Sequence, residues 1–306
     1  MFTLRFKIGP FVFVLEAKQP PVLPVSFPYE VFLDFGEEPP DFLIRVRDDP
    51  SPPLSEGEIV SELEGSWRLW EKDGVHRLEI LEKVGYKPRL VVRFSSDWKG
   101  VDMWITRPLV STSPFGALWC VGEALEPLGM WWLVSAVPSK KQVLVCHGSA
   151  VVWKETGLAF IGPSGSGKST MADLWSKAGG ALVLNDERIL IWPEDSGWRV
   201  SGTPWPGMIQ EVSSDRAWLK HLFFLRRRGP NGLSQLSALD AFERFTQEMF
   251  CPFWSVSKME DKLGMAGGLL QEVPSGDLSF VKDNSAIRYL ENLLCSSDRA
   301  EALEAL

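Results

Sequence analysis

The chain has 306 residues, of which 45% are hydrophobic and 24% charged. These are ordinary globular values, with room for one large core or two domains. A net charge of −8 argues against a protein built to grip nucleic acid through phosphate contacts. Cys120, Cys146, Cys251 and Cys295 are dispersed, with no C-x-x-C and no histidine at metal-ligand spacing, so reduced, buried thiols are expected.

Met1 to Lys7 lacks the charged, apolar and small-residue order of a secretory signal. The most apolar window, Leu128 to Val137, is too short to cross a bilayer. The expectation is a soluble cytoplasmic protein with no membrane and no nucleic-acid partner.

Residues 1–110 read as a β-rich domain. Phe11 to Leu15, Phe42 to Val46, Trp67 to Trp70 and Arg89 to Phe94 are strand-length and rich in β-branched and aromatic residues. Pro-rich breakers separate them, and Glu71–Lys72–Asp73–Gly74 has the composition of a hairpin turn. His76, in that hairpin, is expected to be a solvated strand residue.

Residues 111–306 read as a second, α/β domain. Ala117 to Val137 is apolar and compatible with helix. Val143 to His147, Ala150 to Trp153 and Gly157 to Ile161 follow as short strands close enough together to pair antiparallel. Ala181 to Leu184 is a further strand, and Ile189 to Trp192 with Trp198 to Val200 a further hairpin. Gly202 to Gly207 is a stiff aromatic loop, and Leu222 to Leu225 a strand running into Arg226–Arg227–Arg228. Ala238 to Met249 and Ala286 to Leu294 have helical spacing. The basic triplet reads as a solvated strand end.

The most informative stretch lies inside this domain. The strand Gly157 to Ile161 feeds Gly162–Pro163–Ser164–Gly165–Ser166–Gly167–Lys168–Ser169–Thr170, which fits G-x-x-x-x-G-K-[ST] and opens into a helix. Glycines let such a loop curl until its N–H groups converge on phosphate oxygens, and the helix points its positive end at the same anion. Lys168 would reach the β- and γ-phosphates of ATP, and Ser169 would offer its hydroxyl to Mg²⁺. At the end of the next strand, Asp186 and Glu187 can face the same Mg²⁺–phosphate. One carboxylate would hold the metal; the other, Asp186 by preference, would take a proton from an attacking hydroxyl. His147 closes the strand before the hairpin that leads into the loop, and is a further candidate.

From Cys146–His147–Gly148 through the loop to Asn185–Asp186–Glu187–Arg188, the chain resembles the C-terminal domain of HPr kinase/phosphorylase and of HPr-kinase-like proteins. Gly202–Thr203–Pro204–Trp205 resembles the kinase-like branch. The resemblance implies the mixed-sheet, phosphoenolpyruvate carboxykinase-like fold. It also implies an ATP- and Mg²⁺-dependent kinase acting on a hydroxyl, a serine of a peptide or small protein, with phosphorolysis of phosphoserine open to the same site. HPr kinases assemble as oligomers, so a homo-oligomer is in keeping with it. The family's acidic pair is Asp-Asp. With one extra residue allowed at Gly179–Gly180 it falls on Asp186–Glu187; without the gap it falls on Asn185–Asp186. Residues 1–108 do not resemble the N-terminal domain of HPr kinase, so HPr itself is not the expected acceptor. A small-molecule hydroxyl such as free serine, and a nucleotide-gated binding module with little catalysis, are the alternatives.

Overall fold

Phe2–Ile8 (β1) and Phe11–Ala17 (β2) form an antiparallel hairpin whose phenylalanines Phe6, Phe11 and Phe13 are fully buried. The computed structural model describes residues 1–21, 25–47, 52–53, 55–82, 87–106, 120–122, 124–125, 129, 141–226 and 229–304, with side chains as far as 296. After a 3-10 turn at Tyr29–Phe32 come Phe42–Val46 (β3), Glu58–Leu63 (β4), Trp67–Lys72 (β5), Val75–Leu81 (β6), Pro88–Phe94 (β7) and Gly100–Ile105 (β8). They form one eight-stranded sheet in the order β1-β2-β3-β8-β7-β6-β5-β4.

Local chemistry explains the legible parts of this sheet. The β5–β6 hairpin pairs Lys72 with Val75 across Asp73 and Gly74, whose φ angles of 52° and 75° are those of a type I′ turn. Phe13 stacks on Phe42 at 4.9 Å between ring centroids, locking β2 to β3. The sequence did not mark β1, β4 or β8 as strands. β4 is a largely exposed edge strand and carries little hydrophobic pattern to read. His76 is not a solvated residue: its ring packs 4.6 Å from that of Trp98 and its Nδ1 is buried.

By its contacts the chain divides into two compact units, Met1–Val143 with Cys251–Met259, and Leu144–Phe250 with Glu260–Leu306. The boundary read near 110 from the sequence lies inside the span of the first. The apolar stretch 117–137 falls mostly outside the described residues; within it Val121, Gly122, Ala124, Leu125 and Gly129 are helical.

The second unit is a mixed α/β assembly. Its strands are Leu144–Trp153 (β9), Thr156–Ile161 (β10), Ala181–Asn185 (β11), Arg188–Glu194 (β12), Gly197–Ser201 (β13), Arg216–Arg226 (β14), Gly232–Ser234 (β15) and Ser275–Ser279 (β16). Helices Lys168–Ala178 (α1), Ala238–Glu248 (α2) and Asn284–Glu304 (α4) alternate with them, and Val256–Glu272 (α3) precedes β16. β10 pairs antiparallel with β9 and parallel with β14, so the path β10-β9-β12-β13-β14 returns to its start. β11 and β12 both pair antiparallel with the same edge of β9, one after the other, with Asp186 and Glu187 in the break between them.

β9 is one strand where two were expected. Gly148 interrupts the apolar run in sequence but not in space. A Cβ there would meet Ile161 Cδ1 at 2.7 Å and Ile189 Cδ1 at 3.1 Å, so glycine is what lets the neighbouring strands close. On the other face, Val151, Trp153 and Phe160 pack with Met171 and Trp175 of α1 and with Ile287 and Leu290 of α4. This core fixes α1, and with it the end of β10. Arg226 is not merely solvated, being paired with Asp277 at 2.8 Å, while Arg227 and Arg228 lie outside the described residues. No described helix is long and apolar enough to cross a membrane.

Candidate functional site

β10 is held on both edges, Ile161 pairing with Gly148 of β9 and with Phe224 of β14. The chain leaves this clamped strand through Gly162–Gly167 and turns into α1. Gly167 is the N-cap, with φ 110°, and no side chain caps the helix. The glycine is required twice over: the angle is left-handed, and a Cβ would stand 2.6 Å from Phe280 Cζ. The first-turn N–H groups have no intrahelical acceptors, so the positive end of α1 opens toward the loop. Pro163, Ser164 and Gly165 are exposed, while Ser166 Oγ is buried without a hydrogen-bond partner.

Lys168, the first residue of α1, folds back over the loop. Its Nζ donates to the carbonyl of Gly162 at 2.6 Å and to that of Pro163 at 3.2 Å, and the residue is only 5% exposed. Burial pushes its pKa below the usual lysine value, and the nearby carboxylates of Glu248 and Glu187 pull the other way. Ser169 and Thr170 are half-buried, and the Ser169 hydroxyl makes no hydrogen bond among the described residues.

His147 sits on β9, two residues before Ser149, whose hydroxyl donates to the Lys168 carbonyl at 3.2 Å. Alternation along the strand puts both side chains on the face that carries α1. The imidazole lies between two carboxylates. Glu248 Oε2 is 3.0 Å from Nδ1, and because a carboxylate can only accept, this contact makes Nδ1 the donor and turns Nε2 away from Glu248. Glu187 Oε2 stands 3.6 Å from Nε2, too far for a hydrogen bond but within ion-pair range.

Glu248 is not among the residues singled out from the sequence. It is the last residue of α2, 101 positions from His147, with its side chain 12% exposed. A carboxylate at the negative end of a helix is unfavourable by itself. The backbone holds it there: Phe250 N donates to Val145 O at 2.8 Å, and Met249 bridges to Cys146, one residue from His147. The readable hint was an acid at the wrong end of an amphipathic helix.

The acidic pair divides. Glu187 is half-exposed and joins the cluster, but Asp186 is fully buried. Asp186 Oδ1 accepts from Gly207 N at 2.7 Å; Oδ2 accepts from Met208 N at 2.9 Å and from Ile209 N at 3.3 Å. A Cβ on Gly207 would approach Oδ2 to 2.7 Å. Asn185 works similarly, accepting from the amides of Glu187 and Arg188 and donating to the carbonyls of Thr203 and Trp205. The two side chains thus pin the 203–209 loop to the break between β11 and β12. The hydrogen bonds of Asp186 all go to the amides of Gly207, Met208 and Ile209, and none to Lys168 or His147. The bonds from Asn185 to the amides two and three residues on are local Asx contacts, whereas those of Asp186 reach across to a loop more than twenty residues away.

The structure therefore gathers Lys168, His147 and Glu187, adds Glu248 and sets Asp186 apart. Among the described residues no group of three or more His, Cys, Asp or Glu could hold a metal unaided. A separate cavity of about 510 Å³ opens at the opposite end of β10, lined by Trp153, Thr156, Trp198 and Lys220 among others, and contains none of these residues. Comparison with protein-family models gives no match, and no curated protein matches the chain.

Proposed function

We propose that the chain binds Mg·ATP on the Gly162–Thr170 segment and transfers the γ-phosphoryl group to a hydroxyl. What carries this reading is one strand–helix junction where the G-x-x-x-x-G-K-[ST] pattern coincides with an uncapped helix N-terminus and a lysine held on the loop's own carbonyls. The orphaned Ser166 Oγ and the exposed loop backbone suit an anion that brings its own acceptors. The antiparallel β9–β10 hairpin ahead of the loop is in keeping with a phosphoenolpyruvate carboxykinase-like, HPr-kinase-like fold.

In this reading the loop amides and Lys168 bind the phosphates. Mg²⁺ would neutralise charge on the β- and γ-phosphates, and Ser169 and Glu187 would hold it, the phosphates and water completing its shell. His147 Nε2 takes the proton of the acceptor hydroxyl, and Glu248 on Nδ1 keeps the ring turned to do so. Asp186 acts only on the loop. The acceptor proposed first is a serine of a peptide or small protein, with a small-molecule hydroxyl second.

The test is incubation with γ-labelled ATP, Mg²⁺ and a lysate of the source cell. Label should pass to an acid-stable product, with transfer falling about 10³-fold with Lys168→Met and about 10²-fold with His147→Asn. The seclusion of Asp186 favours one rival, a nucleotide-gated module with little catalysis. A wild type that binds ATP tightly and labels nothing would decide for the module.

A further inference from the structure

Arg188 is the first residue of β12 and pairs directly with His147 across the antiparallel β12–β9 ladder. Residues opposite one another in such a ladder project to the same face, which puts the guanidinium on the side of the sheet that carries α1 and Lys168. Its Nε is buried and has no hydrogen-bond partner. Nor does it form an ion pair with Glu187, its neighbour in sequence, or with Glu248, although both carboxylates lie against His147. Three other arginines of this unit are matched: Arg199 by Glu194, and Arg226 and Arg244 by Asp277. A buried guanidinium N–H without an acceptor is unfavourable unless something else supplies one.

The chemistry of that unmatched donor says what the something is. Lys168 and Arg188 supply two positive charges against the negative charges of Glu187 and Glu248, and Lys168 is already placed on the loop. The unpaired guanidinium lies one strand beyond His147. An oxyanion delivered there would meet a planar donor suited to two parallel N–H···O bonds. We propose that Arg188 receives the terminal phosphoryl group of a nucleoside triphosphate. It would sense the γ-phosphate before transfer and stabilise charge on its equatorial oxygens during transfer, a role other phosphoryl-transfer proteins give to an arginine finger. The inference rests on the nucleotide-binding reading above, and goes beyond it by assigning the discrimination between triphosphate and diphosphate to one side chain.

Calorimetric titration with ADP and with the β,γ-imido analogue of ATP, both with Mg²⁺, tests it without any acceptor. Wild type should bind the triphosphate more tightly than ADP. Arg188→Met should weaken triphosphate binding about ten- to a hundredfold while leaving ADP within about twofold, and Arg188→Lys should recover part of the loss. Thermal unfolding confirms that the variants fold. Equal weakening of both ligands, an unchanged ratio in a folded Arg188→Met, or no preference in the wild type would each overturn the assignment while leaving nucleotide binding intact. Failure of the wild type to bind either ligand would overturn the nucleotide reading itself, and this inference with it.

Discussion

The two halves of the candidate site are built on different terms. The phosphate half is contiguous: Gly162 to Thr170 lies within one strand–loop–helix unit, and its interactions run between residues a few positions apart, as from Lys168 to Gly162. The acid–base half is assembled from three distant places, with His147 on β9, Glu187 in the break after β11 and Glu248 at the end of α2. The first half needs β10, its two neighbouring strands and the core under α1. The second needs the whole ring and α2 in register. Binding should therefore survive perturbations that abolish proton transfer, and this asymmetry can be broken deliberately.

The largest effect is expected at the contiguous half. Lys168→Met removes the ammonium that spans Gly162 and Pro163 and would reach the phosphates, so turnover should fall about 10³-fold and nucleotide affinity with it. Glu248→Gln should separate the halves. It keeps the shape beside His147 and removes the charge that turns the ring, so kcat should drop about 10- to 100-fold with KM for ATP nearly unchanged. Loss of ATP binding in Glu248→Gln, measured by titration calorimetry, would mean the halves are not separable.

The same division governs what could be read from the sequence. The β10–loop–α1 unit was legible because its determinants are local: an apolar strand, glycines at the curl, a helix with one packed face. The β5–β6 turn was legible from Asp73–Gly74 for the same reason. β9 was read as two strands because the tight approach of Ile161 and Ile189 to Gly148 is tertiary. α3 went unread because Gly264, Gly267 and Gly268 dilute its helical character, and packing of Met265, Ala266 and Leu269 overrides that weak propensity. Asp186 was placed by motif position, while its direction was settled by amides more than twenty residues away, at Gly207 to Ile209.

Asp186→Asn sharpens the point. An amide in place of the carboxylate turns one acceptor into a donor facing a backbone N–H, leaving a buried clash at Gly207 or Met208. The expected cost is about 1–3 kcal/mol of stability by urea unfolding, with ADP affinity retained. Loss of turnover in a variant that is still folded and still binds ADP would instead assign Asp186 to proton transfer, so the measurements together place the residue.

The smallest effect concerns the other well-placed histidine, and tests whether carboxylates are what distinguish His147. His76 on β6 has Trp98 against its ring, and Lys258 Nζ lies 4.2 Å from the centroid of that same indole. Burial, and then the Lys258 charge, hold its pKa below the ordinary value; Glu71 and the Gly74 backbone only partly oppose them. The unfolded chain, with the ordinary value of about 6.5, therefore binds more protons than the folded one between the two pKa values. Stability must rise with pH through that window and fall as pH drops from about 6.5 toward the depressed value. Urea unfolding of wild type and His76→Phe from pH 5 to 8 measures this, and the part of the slope due to His76 should disappear in the variant. A slope that persists unchanged in His76→Phe would mean the ring is hydrated well enough to titrate normally, and burial against Trp98 would then not be what sets it apart from the carboxylate-flanked His147.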